Sequence, residues 1–221
     1  MKLKADLHVH SGSSYDGEGS VDEILDAAEE SGLDVVAVTD HDEIDASLEA
    51  VEEAVERDVV AVPGVEVSSA DGHVLAWNVR ERPRPGRSVE DTVDEIRDLG
   101  GVAVIPHPFQ RLRHGVGGVE DCDAVEVYNS RLLTGWSNRQ ARRFASRHGL
   151  PMVAGSDAHI VDMIGRAFFH VDADSRTADA VVDAVVAGDT EVGGKRTPLL
   201  LSVRQWAVGG LRKVRAKLPA P

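Results

Sequence analysis

Residues Val35 to Asp42 read VVAVTDHD, four apolar and mostly β-branched residues followed at once by Thr39, Asp40, His41 and Asp42. A short apolar run with no polar alternation predicts a strand buried on both faces, as in a parallel sheet. The abrupt change to Asp and His predicts a strand-end loop carrying chemistry. Upstream, Lys4 to Val9 predicts a first strand. Ser20 is placed to cap a helix running to about Ser31, with Glu23 completing a capping box and Gly32 ending it.

Downstream the alternation continues. The pattern predicts a helix from Ala46 to Arg57, a strand from Val59 to Val62, and an extended segment from Val74 to Val79 after the Asp71-Gly72 turn. A helix from Val89 to Leu99 precedes strands Val102 to Ile105 and Ala124 to Tyr128; helix Trp136 to His148, strand Met152 to Ala154 and helix Ala178 to Ala187 follow. Short β-branched runs alternating with amphipathic stretches predict an α/β fold of βα units around a mostly parallel sheet. In a chain of 221 residues that repeat favours a closed or nearly closed barrel, whose chemistry lies at the C-terminal strand ends.

With 42% hydrophobic residues, one compact domain is expected over residues 1–190, followed by a basic extension over 191–221. After Glu191 the tail carries Lys195, Arg196, Arg204, Arg212, Lys213, Arg215 and Lys217 with no acidic side chain. Its apolar residues Leu199 to Leu201, Val203, Trp206, Val208 and Leu211 are expected to pack on the barrel, the alternative being a nucleic-acid, anionic-membrane or subunit contact. No run of eighteen apolar residues and no signal core follow the N-terminus, so a soluble, cytoplasmic protein without a transmembrane segment is expected. The single cysteine, Cys122, lies between Asp121 and Asp123, a setting against a reactive thiolate. The net charge of -14 comes from Asp and Glu scattered among Ala and Val, a pattern similar to that of salt-adapted proteins. Such a surface disfavours long-duplex nucleic acid but not a small phosphorylated substrate bound at cations. Nothing in the sequence fixes an oligomeric state.

Residues two apart on a strand face the same side, so His8 and His10 of DLHVH point into one cavity. His41 follows the Val35 run, and Asp157 and His159 follow Met152 to Ala154 with the same spacing, Gly155 allowing close backbone approach. Glu66 after Pro63-Gly64-Val65, His73 after a turn, and His107 in IPHP complete the set. Independent strand ends that all finish in His, Asp or Glu exceed what packing needs, and buried like charges repel unless cations offset them. Mixed imidazole and carboxylate donors suit zinc, manganese or iron better than calcium, and Glu66 is placed to bridge two ions.

In order along most of the chain stand DLHVHS, the YDG containing Asp16, VTDHD, PGVEVS, GHVLAW, IPHP and GSDAH. Together these motifs resemble the PHP (polymerase and histidinol phosphatase) superfamily of metal-dependent phosphoesterases. The resemblance implies a distorted (β/α)7 TIM-like barrel and up to three divalent ions. By it, His8, His10, Glu66 and Asp157 hold one ion, Glu66 bridges to a second held by His73 and His107, and Asp16, His41 and His159 form the third set. Asp16 stands where some members of the family place a histidine. Only six residues separate Glu66 from His73, so the insertion domain of some nucleotide-processing relatives is absent there.

The expected activity is hydrolysis of a small phosphomonoester, such as a nucleotide or sugar phosphate, or of the end of a short oligonucleotide, by a metal-bound hydroxide. Arg111 and Arg113 are candidates for holding the phosphate, with Arg131 and Arg166 next. Asp40 and His114 are candidates for proton transfer or for orienting ligands. The alternatives are amidohydrolase-like cleavage of a carbon-nitrogen bond and a non-catalytic metal-binding module.

Overall fold

The computed structural model describes residues 1–110, 115–132, 134–205 and 207. Its elements in chain order are β1 (Lys2–Val9), α1 (Val21–Glu30), β2 (Val35–Val38), α2 (Asp45–Glu53), β3 (Val60–Ala61), β4 (Gly64–Ser68), β5 (His73–Trp77), α3 (Val89–Asp98), β6 (Val102–Ile105), β7 (Ala124–Asn129), α4 (Gly135–His148), β8 (Met152–Gly155), β9 (Ala167–Asp172), α5 (Ala178–Ala187) and β10 (Thr190–Gly194). A single 3-10 turn over Ala54–Glu56 finishes the stretch expected as one helix to Arg57.

The strands form two five-stranded sheets, ordered β10-β9-β1-β2-β3 and β4-β5-β6-β7-β8. The fold is the expected α/β type, but the sheets are mixed rather than mostly parallel. β5 runs antiparallel to β4 and β6, and β9 runs antiparallel to β1 and β10. The Ser69–Gly72 turn between β4 and β5 is the reason for the first reversal: so few residues join neighbouring strands only as a hairpin, because a parallel pair needs a long crossover. β9 and β10 were not expected. β10, TEVGG, has little strand propensity of its own. Its glycines are required by packing, since a Cβ on Gly193 would stand 2.6 Å from the Phe168 ring and Gly194 has φ +145°. A division of the chain at residue 190 falls inside this strand.

One core draws on both sheets: Leu3, Ala5 and Leu7 of β1, Val35 and Ala37 of β2, Leu75 and Trp77 of β5, Val104 of β6, Val153 of β8, and Phe169 and Val171 of β9 share it with Val181, Val182 and Val185 of α5. Two further cores bury α1 and α2 against one sheet, and α3 and α4 against the other. At roughly 1.5 to 3 kcal/mol for each large side chain buried, these clusters are the main driving force for folding. The capping box at Ser20 and Glu23 is present. Past β10, residues 199–205 are helical. Leu199, Leu200 and Val203 are exposed rather than packed on the barrel, whereas Leu201 packs against the α1 core and Gln205 is buried. Trp206, Val208 and Leu211 lie outside the described residues.

The two sheets do not join into one continuous ladder. They meet through two isolated bridges, Val9 with Ala158 and His41 with Glu66. Backbone bonds fix both seams: His10 N to Ala158 O at 2.8 Å, Asp157 N to His8 O at 2.9 Å, Asp42 N to Glu66 O at 3.0 Å and Glu66 N to Asp40 O at 3.1 Å. The seams therefore bring strand ends bearing His and acidic residues against one another.

Candidate metal centre

Seven of the nine expected donors flank those seams or the neighbouring strand ends, and the remaining two arrive by other routes. His73 begins β5, whose antiparallel direction brings its first residue to the end of β4. Asp16 comes from the loop between β1 and α1. All nine are buried or nearly so. Three of the turns that deliver them carry a non-glycine residue at positive φ: Asp42 at 52°, His107 at 33° and Asp157 at 52°. Such backbone costs of order 1 to 3 kcal/mol and persists where the surroundings over-determine it.

Glu66 sits at the centre, and its two oxygens face different neighbours. Oε1 lies 2.9 Å from His73 Nδ1 and 3.3 Å from His107 Nε2. Oε2 lies 3.2 Å from His10 Nε2, 3.2 Å from His41 Nδ1 and 3.5 Å from His8 Nε2. Asp157 Oδ1 lies 3.3 Å from His159 Nδ1 and 3.7 Å from His10 Nε2, while Asp16 faces His159 Nε2 at 3.3 Å and His41 Nε2 at 3.7 Å. Donor atoms within 4.8 Å of one another form four groups: His10, Asp16, His41 and His159; His8, His10 and Glu66; His8, His107 and Asp157; and His41, Glu66 and His73. His8, His10, His41 and Glu66 each serve two groups, so these distances allow groupings other than the three sets implied by the resemblance.

The donor set suits divalent cations on a physical ground. Among the described residues, His8 Nε2, both nitrogens of His10, His41 Nδ1 and His107 Nδ1 are buried and make no hydrogen bond. A buried polar atom without a partner costs about 1 to 3 kcal/mol. His10 Nε2 and His41 Nδ1 remain unbonded although each stands 3.2 Å from Glu66 Oε2. Lone pairs converging on carboxylate oxygens without hydrogen-bond alignment are what a shared cation satisfies.

The electrostatics agree. Burial opposes ionisation of Glu66, but His73, His41 and His8 outweigh it and hold the carboxyl well below its usual range. Asp157 is likewise depressed against burial, by Arg131, His8 and His159. Burial pushes His41 well below the ordinary imidazole value and, with Arg131, pushes His159 down to about 4. His8 goes the other way: Glu126, Glu66 and Asp157 overcome burial and raise it.

Of the other expected site residues, Arg131 reaches the cluster, its Nη1 lying 3.0 Å from Asp157 Oδ1 and 3.1 Å from His159 Nε2. Arg166 precedes β9, and its side chain makes no ion pair among the described residues. Asp40, whose pKa is raised by burial, accepts from Ser11 N at 2.7 Å and from Ser11 Oγ, and so ties down the turn after His10 instead of touching an imidazole. Arg111, Arg113 and His114 lie outside the described residues.

Three contributors went unnoticed in the sequence. Glu126 of β7 holds His8 Nδ1 at 2.8 Å with Oε1, and with Oε2 accepts from His107 N and Asn129 Nδ2, each at 2.9 Å. Its signal was legible as the one charge inside the strand AVEVYN. Gly155 makes room for it, since a Cβ there would stand 2.4 Å from Glu126 Oε1 and 2.6 Å from His8 Cβ. Asp6, pushed up to about 6 chiefly by burial, accepts from Ser156 N and Gly165 N at 2.9 Å each and so anchors the loop that presents Asp157. Tyr15 stacks on His41 with ring centroids 4.8 Å apart, a contact without a sequence signature.

Residues 6–133 match the family model of the PHP domain, and residues 135–190 match the model described as PHP-associated. The chain belongs to the PHP domain family. It is similar to an uncharacterized protein of Methanocaldococcus jannaschii, 34% identical over an alignment of 154 residues that covers 63% of this chain and 89% of the relative. Among solved structures it is similar to a two-domain protein from Bacteroides vulgatus containing a predicted PHP-like metal-dependent phosphoesterase, with TM-score 0.75, 21% identity and 88% of this chain covered. The chain spans 65% of that protein. It is also similar to the lesion-specific endonuclease EndoQ from Pyrococcus furiosus, with TM-score 0.66, 16% identity, and coverage of 100% of this chain and 73% of that one. At these identities the solved structures speak for the fold, a distorted barrel. Family and donor set together support a metal-dependent hydrolase. No helix among the described residues is long and apolar enough to cross a membrane.

Proposed function

We propose that this PHP domain hydrolyses phosphate esters, either a small phosphomonoester or the end of a short oligonucleotide, at a cluster of up to three divalent ions of manganese, zinc or iron. The observation that carries the reading is Glu66, with its two oxygens turned to separate sets of imidazoles and five imidazole nitrogens buried without hydrogen bonds around it. His8, His10, Glu66 and Asp157 would hold one ion, His73 and His107 a second shared through Glu66, and Asp16, His41 and His159 a third. When bound, such ions make water a usable nucleophile at neutral pH and neutralise charge on phosphoryl oxygens.

The chain's own groups do the rest. Arg131, about one-sixth exposed beside Asp157, offers guanidinium donors to a phosphoryl oxygen. Tyr15 covers His41 and keeps its hydroxyl proton, since burial and then Asp16 raise its pKa; it is a neutral donor at the edge of the site. Glu126 on His8 Nδ1 leaves His8 Nε2 as the donor facing Glu66. Asp40 fixes Ser11 and thereby the exit of the chain from His10.

The test is elemental analysis of protein purified without chelator, followed by a panel of phosphomonoesters and short oligonucleotides with manganese, zinc or iron. Phosphate release that requires bound metal and stops on chelation supports the reading. Metal-loaded protein that hydrolyses no phosphate ester, or that cleaves carbon-nitrogen bonds instead, overturns it.

A further inference from the structure

A cavity of about 250 Å³ lies between the end of β7 and α4, and Tyr128, Asn129, Ser130, Arg139, Arg142 and Arg196 are among its walls. Gly135, Arg139 and Arg142 lie at i, i+4 and i+7 of α4 and so share one helix face. Arg196 reaches the same face from the chain beyond β10, its Nη2 lying 3.5 Å from where a Cβ on Gly135 would be. None of the three arginines has a carboxylate within ion-pair distance among the described residues. That is unusual in a chain with 38 acidic and 24 basic residues. α4 contains four arginines and no Asp or Glu, whereas α1, α2, α3 and α5 all carry carboxylates. Three converging guanidinium groups without counter-charge form a site for an anion, and their planar forks match phosphate.

The cavity is coupled to the cluster through residues 129–131. Asn129 lines it and donates to Asp157 Oδ2 at 3.2 Å; Ser130 lines it and donates to Ser156 O at 3.0 Å; Arg131, next in the chain, reaches Asp157 and His159. Thr197 holds the Arg196 segment in place by bonding Ser130 through both backbone and hydroxyl. We infer that the arginine cavity is a second phosphate subsite, taking a non-scissile phosphate of a substrate that carries two, as a short oligonucleotide does and a nucleoside monophosphate does not. The substrate role rests on the phosphoesterase reading; the anion site itself does not.

Two measurements separate these. First, inorganic phosphate is titrated calorimetrically into metal-loaded wild-type protein and into the Arg139→Ala/Arg142→Ala double variant. Both side chains are exposed on a helix, where alanine favours the fold, and circular dichroism confirms it, with Arg139→Lys and Arg142→Lys as further checks. A phosphate-binding component lost or weakened about tenfold or more in the alanine variant supports the site, and unchanged titrations overturn it. Second, kinetics compare thymidine 5′-monophosphate with 5′-phosphorylated dithymidylate. The expected result is a rise of about tenfold or more in KM for the two-phosphate probe, with the one-phosphate probe changed by less than about twofold. Equal losses on both probes, or phosphate binding lost with both KM values unchanged, overturn the substrate role. If wild-type protein hydrolyses neither probe nor any other phosphate ester, the phosphoesterase reading fails, while the titration still decides whether the cavity binds phosphate.

Discussion

At the rim of the sheets, Asp16, Glu66 and Asp157 are buried with six imidazoles, and all but Asp16, which comes from the loop after β1, are placed by strand ends, seams or turns at positive φ. On α4, a short distance along the chain from Asn129, Arg139 and Arg142 are exposed and have no ion pair among the described residues. The two regions concentrate opposite charges by opposite means. Holding cations with short side chains needs a rigid, dry cage, so its backbone is over-determined. Holding an anion with long guanidinium arms needs only a helix face from which carboxylates are excluded. A phosphorylated substrate lying between them would meet metal at one end and arginine at the other.

The largest effect is expected at Glu66. Glu66→Ala removes both oxygens around which five imidazoles are arranged, so bound metal should fall by more than one ion and turnover by several orders of magnitude. The fold should survive, since the residue packs no core. Calorimetric phosphate binding at the α4 face should persist in this variant. Near-normal turnover with full metal content would show that Glu66 is no ligand.

Arg131 belongs to the rim but follows the cavity residues Asn129 and Ser130 in sequence, and it touches Asp157 and His159. A guanidinium cannot ligate a cation, so Arg131→Ala should leave metal content intact. A charge-assisted contact of roughly 1.5 to 3 kcal/mol to phosphate predicts a loss of about 10- to 150-fold in kcat/KM. Loss of metal in parallel with activity would instead make Arg131 a support for Asp157.

Glu126 sharpens the rim side alone. It fixes the ring of His8 and the backbone of His107 without being one of the nine expected donors. Glu126→Gln should therefore lower metal affinity about 10- to 100-fold, measured by competition with a chelator, while sparing phosphate binding on α4. Unchanged affinity would reduce Glu126 to a packing residue.

How far each region was legible follows from the same contrast. His8 and His10 were readable from their spacing of two on a strand, and His41, Asp157 and His159 because they fall in loops just past apolar runs, where such chemistry has few other uses. Glu126 was not picked out because a single acid in a strand has many uses, and only the 2.8 Å contact with His8 decides among them. The antiparallel β5 and the late strands were illegible for another reason. A hairpin reverses direction through the Ser69–Gly72 turn, and TEVGG becomes a strand by pairing with β9, with Phe168 and Tyr128 packed against its glycines. The arginine face was hidden because β8, β9, α5 and β10 separate Arg196 from α4 in the chain, and only the tertiary fold brings them together.

A change outside both regions supplies the smallest effect and the control for the others. Ser20 caps α1: its Oγ accepts from Glu23 N at 3.2 Å, while Glu23 Oε2 accepts from Ser20 N at 2.8 Å. Ser20→Ala removes the first bond and leaves a first-turn N–H to water, which costs about 1 kcal/mol in an exposed cap. For a chain of this length that lowers Tm by roughly 2 to 4 °C. Metal content, chelator competition and phosphate binding should all be unchanged, because α1 packs against β2 and α2 through Ile24, Leu25 and Ala28 and offers no donor to the rim. Thermal unfolding measured beside metal analysis decides it. If this capping loss also depleted metal, general loosening of the fold would suffice to empty the rim, and depletion in Glu66→Ala or weakened affinity in Glu126→Gln would no longer single out those carboxylates.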